Sequence, residues 1–180
     1  MATDKFSKDQ GKPEVRFSFY PKEHFTAAMQ WGKKTEAIHS GKTNVLDVLP
    51  DKRWKIFSTK PVDKTMVKVF CFVVDRLIRK TQLEGHRDYS TKESRCVAAS
   101  VYEVMDYTGL ESFQAGEKAV VDASVQFGDI YIMDTEKPDK ENVDHAFAYA
   151  AGSSFLFEAG ISDMMAEAFE ECWCKRKVPN

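Results

Sequence analysis

The stretch DKTMVKVFCFVVDRLIRKTQLEGHRDYSTKESRCVAASVYEVMDYT, residues 63–108, decides how the chain reads. Val67, Phe70, Cys71, Val74, Leu77 and Ile78 follow the i, i+3, i+4, i+7 spacing of one buried helical face. Val69, Phe72 and Val73 widen that face, which predicts a central helix. Leu83 to Tyr89 forms a short acidic hinge. Ser90-Thr91-Lys92-Glu93 has the spacing of a capping box. The sequence therefore predicts a second helix through Val97, Ala98, Val101, Val104 and Met105, closed by Gly109. Glu103 and Asp106 stand three apart and share a helical face. With Glu84, Asp88 and Glu93 they make the densest set of carboxylates on an otherwise apolar pair of helices.

Working outward, residues 1–12 are polar and read as loose. Val15, Phe17 and Phe19 alternate between two prolines, as in a short strand or an extended arm. A helix is predicted over 23–39. Residues 40–59 read as a loop anchored by Trp54, Ile56 and Phe57. After a connector over 110–116, residues 117–126 fit helix or strand, and Asp129 to Met133 fits a strand. Residues 134–142 read as a charged loop. A last helical region is expected from Val143, interrupted at Gly160. Ser162 then caps a final helix with Met165, Phe169 and Trp173 inward, and 175–180 form a basic tail. The expected fold is a single domain over residues 1–180, a mainly α helical bundle with one small β element near residues 118–133.

Composition narrows the function classes. At 180 residues with 43 % hydrophobic residues the chain can build a sizeable core and is not a disordered segment. A formal net charge of −2 argues against attachment to nucleic acid by bulk positive charge. No apolar run approaches 18 residues and no leader is read, so the expectation is a soluble, cytoplasmic protein without membrane attachment. Four cysteines fit no zinc spacing and read as free thiols of a reducing compartment.

Several local patterns carry bland readings. Gly41-Lys42-Thr43 ends like a phosphate-binding loop, but Glu36 occupies the position of the earlier glycine and no apolar strand precedes it. Cys172-Trp173-Cys174 supplies half a tetrahedral metal site at most. The acids from Asp134 to Asp144 lack the glycine that a calcium loop needs at its sixth position, where Asp139 stands. The four histidines are scattered, and only His86 adjoins the acidic hinge.

Two blocks carry a family resemblance. The first is Lys8-Asp9-Gln10-Gly11-Lys12-Pro13, then Tyr20-Pro21, then Trp31-Gly32-Lys33-Lys34. The second is Asp75-Arg76-Leu77, then Glu84-Gly85, Asp88 and Ala98-Ala99. In their order, and in the spacing from Arg76 to Asp88, these resemble the phage-type branch of the MazG-like all-α nucleoside triphosphate pyrophosphohydrolases, over residues 8–107, with a long insertion where that branch links the two blocks tightly. The resemblance implies a helical bundle that binds Mg2+ and cleaves a nucleotide between its α- and β-phosphates. It implies Glu84, Asp88, Glu103 and Asp106 as metal ligands, with Glu23 and Glu93 further candidates, and Glu93 and Glu103 as catalytic. Lys33, Lys34 and Arg76 would bind substrate. Trp31 or Trp54 would stack on the base; as residues on their own both read as core packing. Metal-held water and a spare glutamate would supply nucleophile and base.

A second reading belongs to another class: a non-enzymatic α-helical viral structural or host-interaction protein. It would self-associate or bind a protein or nucleic-acid partner through the aromatic arm or the last helix. It predicts scattered acids and an exposed apolar patch near one of those two elements, whereas the hydrolase requires at least three carboxylates around one point.

Overall fold

A computed structural model describes residues 44–46, 49, 51–138 and 142–174. The expected N-terminal strand and helix, Glu23, Trp31, Lys33, Lys34 and the basic tail lie outside these residues. The first expectation holds closely. Helix α1, Lys64–Gln82, is capped by Asp63, whose carboxylate accepts from the Met66 amide, and carries Arg79 and Lys80 in its last turn. Twelve of its 19 residues are buried, so apolar neighbours surround it on most sides. Burial and the charge of Asp75 push the Cys71 thiol up to about 12, which keeps it neutral inside the core.

The predicted second helix is a different object. A single turn, α2 (Lys92–Arg95), leads into a strand, β3 (Cys96–Ser100), and then a short helix, α3 (Val101–Thr108). Strand β3 follows two short strands, β1 (Asn44–Val45) and β2 (Trp54–Ser58). Two internal caps divide the segment. Thr91 accepts from the Ser94 amide, and Ser100 accepts from the Glu103 amide. Between them Val97 and Ala99 are buried while Ala98 is exposed, the period-2 pattern of a half-covered strand. Gly109 ends α3 as expected, with φ +82° and its amide on the Met105 carbonyl.

Helix α4, Phe113–Gln126, resolves the helix-or-strand segment as helix and passes through a 3-10 turn, Phe127–Asp129, into β4, Ile130–Asp134. The region expected to be helical from Val143 is three strands: β5 (Val143–His145), β6 (Phe147–Gly152) and β7 (Leu156–Ile161). The final helix α5, Asp163–Trp173, starts at the Ser162 cap and buries Met165, Phe169 and Trp173 as predicted.

These strands overturn the mainly α bundle. The fold is mixed α and β, with two antiparallel sheets in the orders β1-β2-β4-β5 and β3-β7-β6. In the second sheet Cys96 pairs with Gly160 and Ser100 with Leu156. Its inner face, Val97, Ala99, Phe147, Phe157, Ala159 and Ile161, belongs to one apolar cluster with α1, α3 and α4. The sheets meet at Ala146, whose amide donates to Ile130 of β4 and whose carbonyl accepts from Ser162 beyond β7. The hinge after α1 is clamped. Buried Tyr89 donates its hydroxyl to the Leu77 carbonyl at 2.6 Å, and its amide donates to Glu170 on α5.

Helix α4 lies so close to β6 that a methyl at Gly152 would collide with the Val120 carbonyl, a backbone atom that cannot swing aside. Gly152→Ala is therefore expected to cost about 1–3 kcal/mol, as overpacking does. Gly128→Ala, where a methyl meets nothing within 4 Å, should change stability by less than about 0.5 kcal/mol. Urea unfolding of both variants checks the contrast.

Candidate functional site

Of the residues marked by the sequence, the structure joins Arg76 and Glu103. An Arg76 guanidinium nitrogen donates to Glu103 Oε1 at 2.6 Å, tying α1 to the start of α3, and the guanidinium lies 4.7 Å over the Phe72 ring. The other Glu103 oxygen accepts from the Ser100 amide at 3.2 Å. Partial burial works to raise the Glu103 carboxyl, but Arg76 and the Ser100 backbone outweigh it and hold the group below the usual range. Both oxygens are thus engaged in holding the first turn of α3.

The remaining candidates stand apart. Glu84, Asp88, Glu93 and Asp106 are exposed. Asp88 accepts from both the amide and the hydroxyl of Ser90, which lowers its pKa. Glu93 contributes its backbone carbonyl to Lys80 at 2.8 Å. Trp54 is 3 % exposed within β2, with the Arg53 guanidinium 4.5 Å over its ring, a core position that leaves no face for a base. Among the described residues no group of three or more His, Cys, Asp or Glu side chains is placed to hold a metal ion. No helix among them is long and apolar enough to cross a membrane.

What the fold does assemble is aromatic. Tyr102 from the first turn of α3, Phe113 from the start of α4 and Phe155 from the β6–β7 turn form a strip. Ring centroids are 5.3 Å apart for Tyr102 and Phe113 and 6.3 Å for Phe113 and Phe155. Tyr102 is 64 % exposed and Phe155 69 %, and the adjacent Leu156 is 61 % exposed. The strip is built on rigid supports. The Val101 amide donates to the Phe155 carbonyl at 3.0 Å, fixing the hairpin to the helix start. The turn closes on itself through the Ser153 amide and the Leu156 carbonyl. Glu103, read from the sequence as a catalytic residue and metal ligand, fixes the turn that presents Tyr102.

No protein-family model, curated protein or solved structure matches the chain.

The outer face of the second sheet continues the strip. Leu156, Glu158, Ala98 and Ala151 are exposed there. Tyr149 lies across Gly160, where any Cβ would meet its ring. Its hydroxyl donates to Glu158 at 3.2 Å and stands 2.9 Å from the Cys96 thiol. Partial burial, Cys96 and Glu158 together raise the phenol above its ordinary value, so it stays neutral. In the sequence Phe113 falls in the connector over 110–116, and Tyr102 and Phe155 carry no motif. The available signal was the Phe155-Leu156 pair straight after Ser153-Ser154, apolar residues in a turn where polar ones are usual.

Proposed function

We propose that the chain is a non-enzymatic binding protein that docks a protein partner through Tyr102, Phe113, Phe155 and Leu156. The observation that supports this is the meeting of three rings from three separate elements at the surface, two of them more than half exposed. Large apolar groups in such a cluster mark interaction sites in soluble proteins, and rigid aromatic anchors carry much of the energy at interfaces. The scattered carboxylates fit this reading better than a shared-metal hydrolase.

A photo-crosslinking amino acid at position 155 tests it in extract of the native cell. A defined adduct is expected from position 155 and none from position 52, on the loop before β2. The adduct should fall at least fivefold when Tyr102→Ser is added. Equal adducts from both positions, or none, would reject the docking face. Calorimetry with Mg2+ and a non-hydrolysable deoxynucleotide is the counter-test: metal-dependent binding would replace this reading with the pyrophosphohydrolase.

A further inference from the structure

Charge is strongly segregated along the chain. Residues 1–100 carry 20 Lys and Arg against 12 Asp and Glu, whereas residues 101–174 carry 16 Asp and Glu against three Lys and no Arg. From 141 to 174 there is no Lys or Arg at all. The net charge of −2 conceals this division. The two described lysines of the acidic part are already matched, Lys118 to Asp122 at 2.7 Å and Lys137 to Glu167 at 3.8 Å.

The aromatic strip lies within that acidic part. Asp106 follows Tyr102 by four residues on α3, and Glu117 follows Phe113 by four on α4, so each acid shares a helical face with its ring. Glu111 precedes Phe113 by two residues, and Glu158 follows Leu156 by two on the same face of β7. Asp106, Glu111 and Glu117 form no ion pair among the described residues. Arg76 is held by Glu103 at the start of α3.

We propose that the partner is a basic protein surface, a segment rich in Arg and Lys that seats its cations on the rings of Tyr102 and Phe155 and against this carboxylate fringe. The inference rests on the docking face proposed above and names its partner. The two features act together. An exposed ring binds a guanidinium through its negative face, and the fringe draws cations in and speeds encounter. The same fringe repels phosphate, which sets nucleic acid aside.

Fluorescein-labelled nona-arginine is the probe, read by fluorescence anisotropy against the full chain at low and physiological salt. Binding is expected, and the triple variant Asp106→Asn, Glu111→Gln, Glu117→Gln should weaken it at least tenfold. The triple variant Glu84→Gln, Glu93→Gln, Asp144→Asn changes net charge equally and should weaken it less than twofold. Tyr102→Ser with Phe155→Ser should weaken it about fivefold while leaving net charge unchanged. Equal losses in both triple variants would overturn the proposal, because bulk charge would then suffice. No binding to nona-arginine would also overturn it. If the position-155 adduct persists in that case, the docking face stands and its partner is not basic; if the adduct is missing too, both fall. Sedimentation that shows dimers lost in Tyr102→Ser would overturn it in favour of a second copy of the chain.

Discussion

Phe127→Ala is expected to lower the free energy of unfolding by about 3–5 kcal/mol, the upper range for deleting a buried aromatic side chain. Phe127 has no exposed surface and sits in the turn between α4 and β4. Its ring stacks on Phe147 of β6 at 4.4 Å and meets Phe157 of β7 edge-on at 5.8 Å. Phe70 of α1 approaches at 6.3 Å, and closes the group through Phe147 at 6.1 Å. One side chain therefore joins the central helix, the second sheet and the entrance to the first. Alanine would leave a cavity walled by three rings that cannot all collapse inward. Against a typical domain stability of about 5–15 kcal/mol, the loss is a large fraction. Phe127→Leu keeps most of the volume and should cost less than half as much. Urea unfolding with an unchanged m-value measures both; a loss below about 1 kcal/mol for alanine would show that this group does not join the elements.

Arg53→Ala is the second large effect, at about 3 kcal/mol, the lower end for breaking a buried ion pair. Arg53 donates twice to Asp134, at 2.8 Å each, and Asp134 is fully buried. Glu136, Glu167 and Glu171 lie 3.5–3.8 Å from the same guanidinium, which fastens the first sheet to α5. Removing the arginine leaves a buried carboxylate among three more. Arg53→Lys should recover only part, because a lysine cannot reproduce the forked geometry. Arg53→Met with Asp134→Leu should recover most of it, since neither charge is then stranded.

The dependence on pH separates these cases. In the wild type the hydrogen bonds from Arg53 hold the Asp134 carboxyl below the usual aspartate range. A depressed carboxyl contributes stability above its unfolded value, near pH 3.9, and that contribution is lost as pH falls through the lower folded value. In Arg53→Ala only the Glu136 amide and Lys137 still favour the charged form, and burial among Glu136, Glu167 and Glu171 is expected to raise the folded value instead. The folded state then takes up the proton more readily, so the deficit of Arg53→Ala should shrink between pH 7 and pH 5. Chemical denaturation at the two pH values decides this; an equal deficit at both would mean that Asp134 is not stranded.

The parts of the fold that were legible in the sequence are those whose signals are local. Helix α1 announces itself through its apolar period, its Asp63 cap and its terminal cations. The Ser162 cap, Gly109 and the strand after Asp129 are local in the same sense. Strand β3 was not legible because Val97, Ala98, Val101, Val104 and Met105 satisfy a helical period as well as part of a strand's alternation. What decides between them is β7, which pairs with β3 from far along the chain. The same holds for β6, where Ala148, Ala150 and Ala151 favour helix intrinsically and are overridden by pairing with β7.

The candidate site was legible only as charge. Sequence spacing correctly put Glu103 and Asp106 on one helix, but it could not show that Arg76 would reach Glu103 across 27 positions and engage it. Nor does spacing reveal that Tyr102 faces water. Its neighbours Val101 and Val104 are fully buried, and only the placement of α3 against α1 and α4 separates the inward residues from the outward ring.

The junction at Ala146 has a consequence for cooperativity. Because this one buried residue donates to the first sheet and accepts at the end of the second, neither sheet can peel away without breaking a hydrogen bond of the other. Folded chains open in cooperative units that often coincide with supersecondary motifs. Among the described residues the sheets are linked at this junction and through Phe127, whose turn leads into the first sheet and whose ring packs on Phe147 and Phe157 of the second. Opening of either layer is therefore expected to disturb the other, and the surface that carries the exposed rings to hold its shape with them.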